Sequence, residues 1–262
     1  MITMNLFMKE SGNIHASRMI VFLHGGGVSG WMWNKQLPFF KDDHCLVPDL
    51  PGHGGSSAHG PFSIKRTAAL INEVISNKAD GREIVVFGFS LGAQILVEMM
   101  CQRPQLIDYA VVNSALLRPM PAALKLIEPS VRLTFPLTKY RWFSRWQAST
   151  LYVNRDDFEQ YYSESLRMPS VLLVSVLKEN MSYAISPSMK ESTTRVLVTV
   201  GEKERASVKN SAMDLVQLSN RAEGIVFPGI GHGIPLADPA LFNRVAGKWL
   251  NTGELPEDLP RL

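Results

Sequence analysis

Gly88-Phe89-Ser90-Leu91-Gly92 joins two segments of opposite pattern. Before it, Glu83-Ile84-Val85-Val86-Phe87 is mostly β-branched or aromatic and predicts a buried strand. After it, Leu91, Ile95, Leu96, Met99 and Met100 recur at helical spacing until Arg103-Pro104 ends the run. A serine therefore sits on a tight strand-to-helix turn. Its flanking glycines predict a strained turn and a helix that passes close to the strand. The hydroxyl is presented at a helix N-terminus, where negative charge is favoured.

The same alternation extends in both directions. Residues 2–8 predict an edge strand, and Met19-Ile20-Val21-Phe22-Leu23 a buried one that runs into His24-Gly25-Gly26-Gly27. Consecutive glycines let a backbone approach a ligand with free N–H groups. His44-Cys45-Leu46-Val47 predicts a strand before the turn-rich Asp49-Leu50-Pro51-Gly52-His53-Gly54-Gly55-Ser56-Ser57. A helix is expected over 64–76 and a strand at Tyr109-Ala110-Val111-Val112. Beyond about Leu116 the pattern changes to proline-punctuated short helices rich in aromatics and Met. Strand and helix alternate again from Val196-Leu197-Val198-Thr199-Val200, through a helix near 207–219 and a strand at Gly224-Ile225-Val226-Phe227. Asp238-Pro239 then has the N-cap and first-turn residues of a last helix. Alternation of this kind predicts an α/β fold with a mostly parallel sheet covered by helices on both faces. The expected core is 1–115 with 193–262, and 116–192 is expected to be an inserted helical lid over the strand ends.

Composition narrows the function classes. The chain has 262 residues, 45% hydrophobic and 19% charged, with a net charge of +3. No basic run is dense enough for nucleic acid, and no apolar run spans a membrane. The N-terminal residues lack a charged region followed by an apolar one, so a cytoplasmic protein without a signal peptide is expected. Cys45 and Cys101 lie in apolar runs and are read as buried packing residues rather than a disulfide framework.

Taken together, His24-Gly25-Gly26-Gly27, Asp49 to Ser56, the turn at Ser90 and Gly231-His232-Gly233 make the chain resemble an α/β-hydrolase of the lidded, single-domain serine esterase type. The resemblance covers nearly everything outside the lid and names no substrate. It implies a serine hydrolase, carboxylesterase-like, that cleaves an ester of a small molecule through an acyl-enzyme on Ser90.

A serine hydroxyl needs a base, and the base needs an acid to hold its tautomer. His232, in the glycine-flanked loop after the last strand, is the expected base. The resemblance places the acid after the strand that follows the lid, where Gly201-Glu202-Lys203-Glu204-Arg205 stands. Glu204 occupies the acid's slot and Glu202 is its rival, while Asn113-Ser114-Ala115, the other family position, has no carboxylate. The oxyanion donors are expected to be the N–H groups of Leu91 and Gly26, with Gly27 the other candidate. His24 and His53 are read as structural, and Asp49 as a turn residue. No metal or organic cofactor is expected, and neither a nucleic-acid nor a membrane partner; the protein is expected to be a monomer or homodimer. Phe135, Trp142, Phe143, Trp146, Tyr161 and Tyr162 are candidate pocket walls, and Arg118, Arg132, Arg141 and Arg145 could attract acidic substrates.

Three other readings stand beside this one. The same triad could serve carbon–carbon bond hydrolysis, lactone opening or a lyase reaction. A non-enzymatic ligand receptor could use the same fold. Gly25-Gly26-Gly27-Val28-Ser29-Gly30 also fits a dinucleotide fingerprint, with Asp49 at a plausible ribose-binding distance.

Overall fold

A computed structural model describes residues 6–56 and 60–262. Among these residues seven strands form one sheet: β1 (Met8–Gly12), β2 (Arg18–Leu23), β3 (His44–Pro48), β4 (Glu83–Phe89), β5 (Tyr109–Asn113), β6 (Arg195–Gly201) and β7 (Ala222–Phe227). Their order is β1-β3-β2-β4-β5-β6-β7. Only β1 is antiparallel, pairing Met8 with Pro48 at the sheet edge. The expected strand over 2–8 lies partly outside the described residues; Leu6 and Phe7 are not strand, and the edge strand begins at Met8.

The helices flank this sheet. They are α1 (Ile64–Lys78), α2 (Leu91–Gln102), α3 (Pro121–Leu124), α4 (Ile127–Thr134), α5 (Arg141–Thr150), α6 (Phe158–Arg167), α7 (Ser170–Ser182), α8 (Ala206–Leu218), α9 (Ile234–Ala237) and α10 (Pro239–Thr252). The segment between β5 and β6 holds α3 to α7, where short helices are expected. The N-cap of α10 is as the sequence predicts: Asp238 Oδ1 accepts the Leu241 N–H at 2.9 Å.

Period-two alternation divides the strands between two cores. Met19, Val21 and Leu23 face α1 and α2, while Ile20 and Phe22 face the other side. There Phe22 stacks on Phe87 at 4.9 Å between ring centroids, with Trp33 and Phe242 around them. Each such ring stabilises the fold by roughly 1.5–3 kcal/mol through burial.

The strand order also locates the ligand crevice. The chain leaves β2 toward β3 and leaves β4 toward β5, so the order reverses between β2 and β4. These two strands run in register, Leu23 beside Gly88. The loops that follow them, residues 25–27 and Ser90, therefore open side by side at the switch point where ligands bind in such sheets.

Candidate active site

Ser90 has φ 51 and ψ −109. A non-glycine residue held there carries roughly 1–3 kcal/mol of strain. The sequence suggested that the glycines absorb the turn, but the positive φ falls on the serine itself. Gly88 and Gly92 instead permit close approach. A Cβ on Gly92 would lie 2.3 Å from the Leu23 carbonyl oxygen, and one on Gly88 would lie 2.6 Å from that of Gly92. The Ser90 N–H donates to the Asn113 carbonyl at 2.9 Å, which anchors the turn to β5.

His232 and Glu204 converge on this serine. His232 Nε2 lies 3.0 Å from Ser90 Oγ, and its Nδ1 lies 2.8 Å from Glu204 Oε1. A carboxylate only accepts, so Nδ1 carries the proton and Nε2 is free to accept from the serine hydroxyl. The Glu204 side chain is 3% exposed, which shields the contact from water. Glu202 points elsewhere, accepting the Gly229 N–H at 2.7 Å. The Tyr152 hydroxyl accepts the Gly231 N–H at 2.9 Å and so fixes the His232 loop to the end of α5.

The glycine loop meets the serine turn from the other side. A Cβ on Gly26 would lie 3.4 Å from Val176 Cγ1 and 3.6 Å from Leu91 Cδ2, whereas one on Gly27 would meet nothing within 4 Å. Neither the Gly26 nor the Leu91 N–H has an intramolecular acceptor among the described residues.

Two histidines lie behind this loop. His24 donates from Nδ1 to the Gly25 carbonyl at 2.7 Å and accepts the Leu50 N–H at Nε2 at 2.8 Å. Both nitrogens are occupied by backbone, and burial pushes its pKa down to about 4. His53 is also buried, and burial together with the nearby His24 lowers it to about 3. Its Nδ1 reaches the Pro51 carbonyl at 3.2 Å, inside the loop it was expected to hold.

Asp49 does more than shape a turn. Its Oδ1 accepts the Gly30 N–H at 2.8 Å and its Oδ2 the Gly55 N–H at 2.7 Å, so it clasps two loops together. The dinucleotide reading fails here, because residues 25–30 lead into a single tight turn, Gly30–Trp33, and not into the long helix whose N-terminus would hold a pyrophosphate. The sequence gives no sign of a role for Glu164 of α6. This residue accepts from Ser29 Oγ and from Trp31 Nε1, both at 2.9 Å, and no local pattern marks partners so far apart in sequence.

A cavity of about 380 Å³ opens on Ser90 and His232. Its remaining wall includes Ser114, Leu116, Met120, Leu151, Asn180, Lys203, Arg205 and Ser207. A second cavity, of about 310 Å³, lies beyond Gly27 and is lined by His53, Phe135, Tyr161 and Leu172. The expected aromatic walls divide accordingly. Phe135 and Tyr161 face the second cavity and Phe143 is buried, whereas Trp142 and Trp146 are 66% and 62% exposed on the outside. The four arginines line the Ser90 cavity nowhere. Arg118 is paired with Asp214 and Arg141 with Glu159, and Arg145 lies over the Phe158 ring. Cys45 is fully buried, its thiol pushed up to about 12 by burial, while Cys101 is only partly buried. Among the described residues no three His, Cys, Asp or Glu side chains converge to hold a metal ion, and no helix is long and apolar enough to cross a membrane.

The chain belongs to the alpha/beta hydrolase family, whose model matches residues 20–245. It is 32% identical over 90 residues to a pimeloyl-[acyl-carrier protein] methyl ester esterase from Vibrio parahaemolyticus, covering 34% of this chain and 33% of that protein. The first curated relatives are thus matched over about a third of their own length. Solved structures match over almost the whole chain at low identity. A hydrolase from Pseudomonas aeruginosa superposes with a TM-score of 0.80 at 15% identity, covering 96% of this chain and 99% of that one. The enol-lactonase from Burkholderia xenovorans gives 0.79 at 17% identity, covering 94% and 96%. At such identities the likeness is one of fold.

Proposed function

We propose that the protein is a serine hydrolase that cleaves a carboxylic ester of a small molecule, with Ser90 as nucleophile, His232 as general base and Glu204 as the acid. One observation carries this reading: the unbroken hydrogen-bonded chain from a strained, half-buried serine through one imidazole to a buried carboxylate. The ester-cleaving relative adds support.

Ser90 Oγ attacks the ester carbonyl carbon as its proton passes to His232 Nε2. Glu204 stabilises the resulting imidazolium. The carbonyl oxygen takes the negative charge and accepts from the N–H groups of Gly26 and Leu91, which have no competing acceptor among the described residues. The adduct collapses, the bond to the alcohol oxygen breaks, and His232 gives its proton to the leaving alcohol. Water then adds to the acyl carbon. One of its protons reaches Ser90 Oγ through His232, and the carboxylic acid departs. The segment over 116–192 acts as the lid, its α5 and α7 ends closing the cavity through Leu151 and Asn180.

Intact-mass spectrometry after a fluorophosphonate probe tests this. The wild type is expected to gain one adduct and to hydrolyse short-chain para-nitrophenyl esters, and Ser90→Ala to do neither. A folded wild type that stays unlabelled, or a labelled Ser90→Ala, overturns it. Thioesters and lactones in the same screen show how far the leaving group can vary.

A further inference from the structure

We propose that Asn180 of α7 selects the substrate. Its amide oxygen accepts a hydrogen bond from a hydroxyl on the acyl chain of the ester, and the buried Gln94 holds it in that orientation. This rests on the reading of Ser90 as the nucleophile and names the class of ester it takes, a hydroxyacyl ester.

Gln94 is fully buried on α2, one turn beyond Ser90, whose carbonyl accepts the Gln94 N–H at 3.1 Å. Its side-chain Nε2 donates to two backbone carbonyls, that of Leu116 at 2.5 Å and that of Asn180 at 2.8 Å. The Asn180 carbonyl belongs to the last turn of α7, where no further turn supplies a donor. Carbonyls only accept, so the Gln94 amide has a single orientation, with its NH2 toward them. Its Oε1 then faces the Asn180 side chain. Because Oε1 only accepts, the atom it meets at 2.8 Å is Asn180 Nδ2. One amide thus dictates the orientation of the other, and Asn180 Oδ1 is left on the edge turned away from Gln94.

Asn180 lines the cavity that opens on Ser90 and His232. Among the described residues its Oδ1 has no hydrogen-bond donor, and it is not among the polar atoms sealed from solvent. The Ser114 hydroxyl on the same wall, by contrast, is sealed. Glu204, the cavity's carboxylate, is taken by His232. Asn180 therefore offers the cavity an open acceptor whose partner prevents it from turning over. An acyl chain without a donor displaces water from that oxygen and returns nothing, whereas a hydroxyl replaces the lost hydrogen bond.

The geometry also separates the two ends of the ester. The leaving alcohol takes its proton from His232 and so lies on the His232 side. Thr150 and Leu151 wall that side, next to Tyr152, which holds the His232 loop. Asn180 is tied instead to α2, together with Leu116, through Gln94. It stands beside the acyl group, where Leu116, Met120 and Met181 supply apolar wall for the carbons.

The test measures kcat/KM for methyl hexanoates that carry a hydroxyl on the second, third or fifth carbon. Each is compared with the methoxy ester substituted at the same carbon, which keeps the inductive effect on the carbonyl and removes the donor. At least one pair is expected to favour the hydroxyl by about tenfold. Asn180→Leu, close to the same shape, is expected to bring that ratio to about one, and Asn180→Ala gives the same reading should the larger side chain not fit. Gln94→Met frees the Asn180 amide to turn and is expected to lower the ratio by a smaller factor. Ser182→Ala, at the exposed end of α7, keeps the wild-type ratio. Thermal melting and a fluorophosphonate adduct on each variant show that fold and nucleophile are in place. A wild type that takes hydroxyl and methoxy esters equally at every position, or a ratio unmoved by loss of the Asn180 amide, overturns the proposal. So does a labelled wild type that turns over none of these esters. Failure of the nucleophile reading shows separately, as a missing adduct on the wild type.

Discussion

The sheet and the helical segment over 116–192 are built on different principles. In the sheet, every residue from Met19 to Leu23 is buried and successive side chains feed two separate cores. In the helical segment, α4 buries only Ile127 and Val131 and α6 only Phe158 and Tyr161, while Leu133, Trp142 and Val171 stand in solvent. That segment joins one core through Leu172 and Val176 and the other through Ala148, Phe158 and Tyr161, and polar contacts pin it further. Glu164 holds Ser29 and Trp31, Glu179 accepts the Ile64 N–H at 2.7 Å, and Asn180 exchanges hydrogen bonds with Gln94. The groups proposed to react, Ser90, Glu204 and His232, follow β4, β6 and β7 of the sheet. The cavity wall is shared, with Leu116, Met120, Leu151 and Asn180 from the helical segment and Ser114, Lys203 and Ser207 from the core.

The largest expected effect breaks the reactive chain within the rigid part. Glu204→Gln is expected to lower kcat by about a thousandfold or more, because the amide no longer fixes the imidazole tautomer or stabilises its charge. Glu202→Gln, whose carboxylate caps a backbone N–H outside the chain, is expected to stay within a few-fold. Steady-state kinetics with far-UV dichroism as the folding control decides; equal losses in both variants would remove Glu204 from its assigned role.

Acid is the next way to separate the two regions. His24 and His53 lie under the glycine loop with folded pKa values lowered to about 4 and about 3. The unfolded chain takes up these protons below its ordinary histidine pKa of about 6.5 while the folded protein refuses them. The stability they contribute is therefore full above about pH 6.5. It falls as pH drops, by about 1.4 kcal/mol per unit for each histidine, until the folded values are reached. Urea titrations from pH 7 to 4.5 are expected to show this slope, and His24→Gln to flatten it by one histidine's share. A slope unchanged in that variant would mean that His24 titrates normally in the fold.

A smaller effect tests the pins. Glu164→Ala leaves the Ser29 hydroxyl and the Trp31 indole N–H without their acceptor, a loss of about 1–3 kcal/mol. Hydrogen exchange is expected to quicken across α6 and leave β2 and β4 protected. If the sheet loses protection equally, the two regions unfold as one unit and the contrast drawn above is wrong. The smallest effect is at the outer surface. Trp142→Ser and Trp146→Ser are expected to move stability by less than about 0.5 kcal/mol, since both rings are mostly exposed. A thermal shift of several degrees in either would show that these rings are covered in solution.

Much of the frame is legible in the sequence. Strand and helix could be read because burial imposes a period on the residues that must hide, and each of β2, β4, β5, β6 and β7 carries its own run of Val, Ile, Leu or Phe. Ser90 and His232 could be read because each sits in a local glycine setting that few other roles require. The choice of Glu204 over Glu202 could not be settled along the chain, because a shift of two residues changes which carboxylate points at the histidine, and loop geometry alone sets that. The same holds for Asp49 clasping Gly30 to Gly55 and for the Trp rings that face solvent rather than a pocket. Glu164 is the extreme case, lying 135 and 133 residues from its partners. Local periodicity fixes which segments form strands and helices, because neighbours along the chain share one backbone geometry. Which side chain meets which across the sheet depends on how the loops close, and that is decided only when distant segments pack together.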